Sequence, residues 1–129
     1  MSERIYLDTN VWLDYYWNRQ SKYLDHGAIA HRILLRTIEC EFMLIISDIL
    51  LSELERFVDD IQSLLEPLKE KCVFVRASRS SYTRAKQLPL HYPDSVHMIL
   101  AQEHQASCFV TNDKGITSET LRVVQSPIL

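Results

Sequence analysis

The stretch IYLDTNVWLD, residues 5–14, decides how the chain is read. Ile5, Tyr6 and Leu7 make a short apolar run of strand-forming residues, and the run stops at Asp8. Thr9 and Asn10 follow, then a segment crowded with aromatics as far as Trp17. A carboxylate at the end of a strand built for burial has two explanations. It caps the helix that follows, or it takes part in chemistry at a sheet edge.

Working outward, the pattern alternates strand and helix. RIYLD is the first strand, followed by an aromatic-rich helix over about residues 10–18 and a polar connection, NRQSKYLDHG. A helix is predicted over about 26–41, with Ala30, Ile33, Leu34 and Ile38 at helical spacing. FMLIIS reads as a buried strand, and Ser47 or Asp48 caps a helix predicted through ILLSELERFVDDI. SLLEPLKEK is a further helical piece, with Pro67 at a break or a first turn. CVFVR is a strand, SSYTRAKQL a helix and PLHYPD a loop; Asp94 opens the helix SVHMILAQEHQ. SCFVTND and LRVVQ are the last two strands. Strands separated by helices predict an α/β fold, a three-layer α/β/α sandwich around a mostly parallel sheet. The 129 residues suit a single domain spanning 1–129.

In such folds ligands bind outside the carboxyl ends of the strands, near the switch in strand order. Asp8 and Asp113 each end a strand, so a parallel sheet puts both on one edge. Asp94 starts a helix after a loop that returns to that edge, and Glu53 lies about two turns into the helix after FMLIIS. Four carboxylates gathered there would repel one another and raise each other's pKa. A divalent cation removes that cost, and an all-oxygen donor set without a His/Cys cluster suits Mg²⁺ or Mn²⁺ rather than zinc. Acidic sites of this kind serve phosphoryl chemistry. Each acid also has a bland explanation: a helix cap for Asp8 and Asp94, a solvated helix face for Glu53, a turn for Asp113.

Composition narrows the classes. With 47% hydrophobic and 24% charged residues the chain reads as globular. Its two glycines, Gly27 and Gly115, exclude a Gly-rich phosphate loop. A net charge of −3 argues against a partner held by bulk positive charge, although a bound metal inverts local charge. Cys40, Cys72 and Cys108 lack metal-ligand spacing and read as reduced thiols of a cytoplasmic protein. No signal peptide and no membrane span are expected.

Four segments in order resemble the PIN-domain family, and within it the VapC-like ribonuclease toxins: IYLDTNVWL with Asp8, ISDILLSEL with Ser47 and Glu53, PDSVHMILA with Asp94, and FVTNDKG with Thr111 and Asp113. The resemblance implies a metal-dependent endoribonuclease in which Asp8, Glu53, Asp94 and Asp113 hold one or two Mg²⁺ or Mn²⁺ ions. It also implies an RNA substrate, an antitoxin protein as partner of this toxin, and a homodimer. Glu55 lies two residues from Glu53, but helical geometry puts the two on different faces, and the motif spacing favours Glu53. The family's last motif often continues with an aromatic, which DKGIT lacks.

Asn10, Ser47, Thr111 and Asn112 are polar neighbours that orient the acids or meet a phosphate; for Thr9 and Asn112 local cap and turn bonding is the expectation. His97, three residues after Asp94, reads as a core histidine or one that supports the acids from behind. Trp12, Tyr15, Tyr16 and Trp17 crowd one short helix, which reads either as core and rim packing or as a partner surface; the resemblance implies the latter, covered by an antitoxin or a second subunit. Arg32 and Arg36 share a helix face that either flanks an RNA groove or is solvated. No aromatic–basic motif of the single-strand-binding kind stands out. Two rivals remain: a nuclease for RNA or DNA processing outside toxin–antitoxin systems, and a non-catalytic acidic binding module.

Overall fold

A computed structural model describes residues 3–39 and 41–129. Its frame is a five-stranded sheet of β1 (Glu3–Leu7), β2 (Phe42–Ser47), β3 (Cys72–Val75), β4 (Cys108–Thr111) and β5 (Val123–Gln125), in the order β3-β2-β1-β4-β5. All four pairings are parallel, with Ile5 opposite Leu44 and Leu7 opposite Val110. The helices are α1 (Thr9–Trp17), α2 (His26–Ile38), α3 (Asp48–Glu55), α4 (Ile61–Leu65), α5 (Arg79–Ala85) and α6 (Asp94–Glu103).

Side-chain alternation along the strands creates two cores. Ile5, Leu7, Leu44, Ile46 and Val110 face one way, against Trp12 of α1, Ile33 of α2 and Leu50 and Leu54 of α3. Tyr6, Ile45 and Phe109 face the other way, against Ala85 of α5 and Val96, Met98, Ile99 and Leu100 of α6. Sheet and helices thus form the three layers expected. The strands are apolar on both faces because both faces are covered.

The strand order places the switch between β1 and β4: the chain builds outward through β2 and β3, then returns to the other side of β1. The crevice outside the carboxyl ends of β1 and β4 is where this topology collects functional groups.

Three local expectations change. The helix read through residue 61 ends at Glu55, where the amides of Arg56, Phe57 and Val58 turn back onto Glu53 O and Leu54 O. That tight turn buries Val58, and the Asp60 carboxylate then caps α4 by accepting from Ser63 N at 3.1 Å. The helix read over 26–41 stops at Ile38; residue 40 lies outside the described residues. Asp94 is not a cap: Pro93 holds that position and Asp94 is the first residue of α6, its carboxylate making no cap bond. Ser47, rather than Asp48, caps α3 by accepting from Leu50 N at 3.0 Å. Pro67 sits at the start of a 3₁₀ segment, Glu66–Lys71.

Arg32 and Arg36 do not stand free beside a groove. Arg32 donates to Pro127 O at 3.3 Å, while Arg36 donates to Leu129 O at 2.5 Å and forks onto Glu41.

Candidate functional site

Asp8 follows directly on β1 and is 3% exposed. It occupies the cap position of α1, yet its side chain makes no cap bond. Instead Oδ2 accepts from the Thr111 hydroxyl at 2.9 Å, across the β1–β4 junction. The same hydroxyl accepts from Asp113 N at 3.0 Å, so Thr111, wholly buried at the end of β4, ties the two acids to one edge. Asp113 closes a turn by accepting from Gly115 N at 2.8 Å, so its turn role and its place at the edge coexist.

Glu53 reaches the edge from α3. Its Oε1 accepts from the Thr9 hydroxyl at 3.1 Å and meets His97 Nε2. Glu55 is exposed and lines a different hollow with Leu51 and Phe74, so Glu53 is the acid that faces the site. Thr9 and Asn112 depart from the local bonding expected of them. Thr9 bonds 44 residues away, and Asn112 donates to Asp14, 98 residues away. Asn10 is exposed, and its side-chain oxygen accepts from Arg19 at 3.4 Å.

Behind Glu53 runs a buried chain of hydrogen bonds. Ser47 Oγ stands 2.7 Å from Tyr6 Oη, and Tyr6 Oη stands 2.5 Å from His97 Nδ1. Because Ser47 already accepts from Leu50 N, its own proton is available to Tyr6. Tyr6 then donates to Nδ1, leaving Nε2–H to donate to Glu53. Each donor in that sequence has one acceptor, as a buried polar network requires. His97 is therefore the supporting histidine that the sequence indicated, 1% exposed and without access to substrate.

The electrostatics bear the mark of gathered like charge. Burial pushes the Asp8 carboxyl up to about 6; Asp94 adds to the rise, while His97 and the Thr111 bond oppose it. Burial also raises Asp94, with His97 opposing and Asp113 and Glu53 adding to the rise. For Glu53 burial works upward too, but the bonds from His97 and Thr9 outweigh it and hold the carboxyl below its usual value. Burial drives Tyr6 far above its ordinary value, so the phenol stays a proton donor.

The donor chemistry fits a hard cation: four carboxylates, no thiolate, and no Lys or Arg ion-paired to Asp8, Asp94 or Asp113 among the described residues. As the side chains lie, no three His, Cys, Asp or Glu groups among the described residues stand close enough to hold an ion, and Oε1 of Glu53 is engaged by His97. Binding would therefore draw the carboxylates inward.

Two participants escape a reading of the sequence. Tyr6 looks like one more strand residue, because its partners come from β2 and α6. Asp14 hides in the aromatic run, yet it is 2% exposed and holds Asn112 and Arg19, the latter at 3.5 Å. A charged residue amid apolar neighbours at helical spacing was its available signal.

Among the described residues no helix is long and apolar enough to cross a membrane. The chain matches none of the curated proteins compared with it. Among solved structures it is similar to a chain of a toxin–antitoxin complex from Klebsiella pneumoniae, at a TM-score of 0.66 and 18% identity over 95% of this chain and 97% of that one. It is similar also to a chain of VapBC2 from Rickettsia felis bound to a DNA fragment from their promoter, at a TM-score of 0.63 and 19% identity over 95% and 98% of the two chains. Those likenesses concern the fold. Residues 5–118 match the family described as PIN domain, a span that runs from the first strand past the last of the four acids, and the chain belongs to that family.

Proposed function

We propose that the chain is a metal-dependent endoribonuclease, the toxin of a type II toxin–antitoxin pair. What supports this reading is that, in a PIN domain, Asp94 acts electrostatically on Asp8 and is acted on by Asp113 and Glu53, while Asp8 is buried at the β1–β4 switch with no Lys or Arg paired to it among the described residues.

Asp8, Asp94 and Asp113 would hold one or two Mg²⁺ or Mn²⁺ ions, with Glu53 completing the set. When bound, such an ion lowers the pKa of a water and neutralises charge on the phosphate in an in-line displacement. The chain's own residues supply position. Thr111 fixes the Asp8 carboxylate and the Asp113 backbone together. Thr9 and His97 both hold Glu53 through Oε1, and Tyr6 and Ser47 hold His97 in the tautomer that donates to it. Burial of Asp8 strengthens its attraction to a cation by excluding water.

An antitoxin protein or a second copy of the chain would cover the exposed aromatics of α1, where Trp17 packs edge-on against Phe57 at 5.6 Å between ring centroids. The structural neighbours that come from toxin–antitoxin complexes support that assignment.

The test is incubation of the purified chain with RNA and Mn²⁺, with and without chelator, beside a DNA strand of matched sequence. RNA cleavage that stops with chelator and is lost in Asp8→Asn supports the reading. Equal cleavage of DNA moves the chain to general nucleic-acid processing, and absence of both cleavage and metal binding makes it a binding module.

A further inference from the structure

The chain as a whole is acidic, yet residues 71–93 contain Lys71, Arg76, Arg79, Arg84 and Lys86 and none of the 17 Asp and Glu residues. This stretch runs through β3 and α5 into the loop that delivers Asp94. Asp48, at the start of α3, pins it to the acid edge: Oδ1 accepts from Ala77 N at 3.0 Å. Arg84 is paired with Glu103 at 2.9 Å. Lys86 is exposed, and no ion pair among the described residues includes it.

Within this stretch lies a cavity of about 410 Å³, bordered by Tyr82, Lys86, Leu90, Tyr92 and Ser95. Its size is that of a small-ligand site. Tyr82 is 37% exposed and Tyr92 is 69% exposed, a large apolar investment for solvent to see. Tyr82 ionises less readily than usual, chiefly through burial, with the nearby Tyr92 adding to the rise. Ser95 follows Asp94, so the cavity borders the first turn of α6, the turn that carries that carboxylate. Two aromatic faces and one free cation next to a phosphate-cleaving site are what an unpaired nucleotide requires: a ring to stack its base, a charge for its phosphate. The linear sequence hides this because the tyrosines are ten residues apart and meet only across the α5–α6 loop.

We propose that this cavity is a subsite for one unpaired nucleotide of the RNA, its base held by Tyr82 and Tyr92 and its phosphate by Lys86. The proposal rests on the nuclease reading above and deepens it by assigning residues that hold one nucleotide of the substrate.

The test is fluorescence anisotropy of a labelled, mixed-sequence RNA oligonucleotide against the full chain in chelator, single-stranded or annealed to its complement. Tyr82→Ala and Tyr92→Ala should each weaken single-strand binding by about 5- to 100-fold. Neither should alter duplex binding. Lys86→Gln should lower the slope of log affinity against log salt by about one for the single strand. Single-strand affinity that is unchanged in both tyrosine variants overturns the proposal, as does an equal loss for duplex, or no RNA binding by the parent. Tyrosine-dependent single-strand binding by a parent that does not cleave with Mn²⁺ would sink the nuclease reading and keep the subsite. Asp8-dependent cleavage with indifferent tyrosines would do the reverse.

Discussion

Asp8 and Asp14 lie on either side of the start of α1, and both are buried, 3% and 2% exposed. Burial raises the pKa of each. They differ in company. Asp14 is supplied by the protein itself: Asn112 donates to one carboxylate oxygen, Arg19 approaches the other at 3.5 Å, and His26 adds an attractive charge. Asp8 receives the Thr111 hydroxyl and the Thr9 amide, is attracted by His97 and repelled by Asp94, and has no Lys or Arg paired to it among the described residues. A buried carboxylate is costly unless paired. The fold meets that cost at Asp14 and leaves it standing at Asp8. One acid is a lock; the other, on the function proposed above, is left for an external cation.

The largest test of that contrast is Asp8→Asn. If the carboxylate exists to hold a metal, RNA cleavage in Mn²⁺ should fall by more than about 100-fold, beyond what loss of a supporting residue costs. Thermal stability without metal should hold or rise, because a repulsive buried charge is gone. A variant that cleaves normally, or that unfolds as an Asp14 variant should, would make Asp8 another lock.

Next comes pH. Asp8 has a folded pKa of about 6 against an ordinary 3.8, so the folded state binds the proton more tightly. The stability this contributes is complete below pH 3.8 and is lost as pH rises to about 6, a change of roughly 2–3 kcal/mol. Asp94 and Asp14 shift in the same direction and add to the slope. Urea denaturation across that window in chelator should show stability falling with rising pH, less steeply in Asp8→Asn. Mn²⁺ should return stability above pH 6 in the parent alone. Identical pH profiles for parent and variant would remove Asp8 as the source.

Asp14→Ala should act on stability instead. It strands the half-buried Asn112 amide, at a cost of about 1 kcal/mol. Arg19 is 35% exposed and recovers most of its solvation, so the ion pair adds little. Mn²⁺ affinity measured by calorimetry on the folded variant should stay within a few-fold of the parent. A large loss of metal affinity would mean that the lock extends through Asn112 to Asp113 and that the two acids are not separate devices.

How much of this was legible in the sequence follows the same division. Groups set by local pattern could be read. Apolar runs gave the strands, alternation with helices gave the parallel sheet, and parallel strands put Asp8 and Asp113 on one edge. A helix cap at Ser47 or Asp48 could be read locally, and the motif spacing of the resemblance favoured Glu53 over Glu55. What failed was long-range satisfaction. Thr9 and Asn112 were expected to bond locally, and each instead serves an acid tens of residues away. Tyr6 reads as core until β2 and α6 bring Ser47 and His97 to its hydroxyl. The break after Glu55 was missed because helix propensity continues through ERFVDDI, while burial of Val58 turns the chain; Asp60 three residues before Ser63 was the sign.

The smallest effect sharpens the comparison most, because it asks whether the carboxylate set is held as firmly as Asp14. Tyr6→Phe keeps the ring that stacks on Phe109, 5.4 Å away between centroids and tilted by 10°. It removes only the hydroxyl. His97 then has no donor at Nδ1, and its ring is free to take the other tautomer, which turns a lone pair instead of N–H toward Glu53. Thr9 still donates to the same Glu53 oxygen, so the loss should be partial: about tenfold in Mn²⁺ affinity, the low end for a group one step removed from a ligand. In rate terms kcat falls while KM for RNA stays, since Tyr6 is fully buried and meets no substrate. Calorimetry with Mn²⁺ and steady-state cleavage check the two parts separately. A fall in thermal stability with unchanged Mn²⁺ affinity and unchanged kcat would show that the Ser47–Tyr6–His97 chain is packing alone, a second lock like Asp14, and that Glu53 holds its place without it.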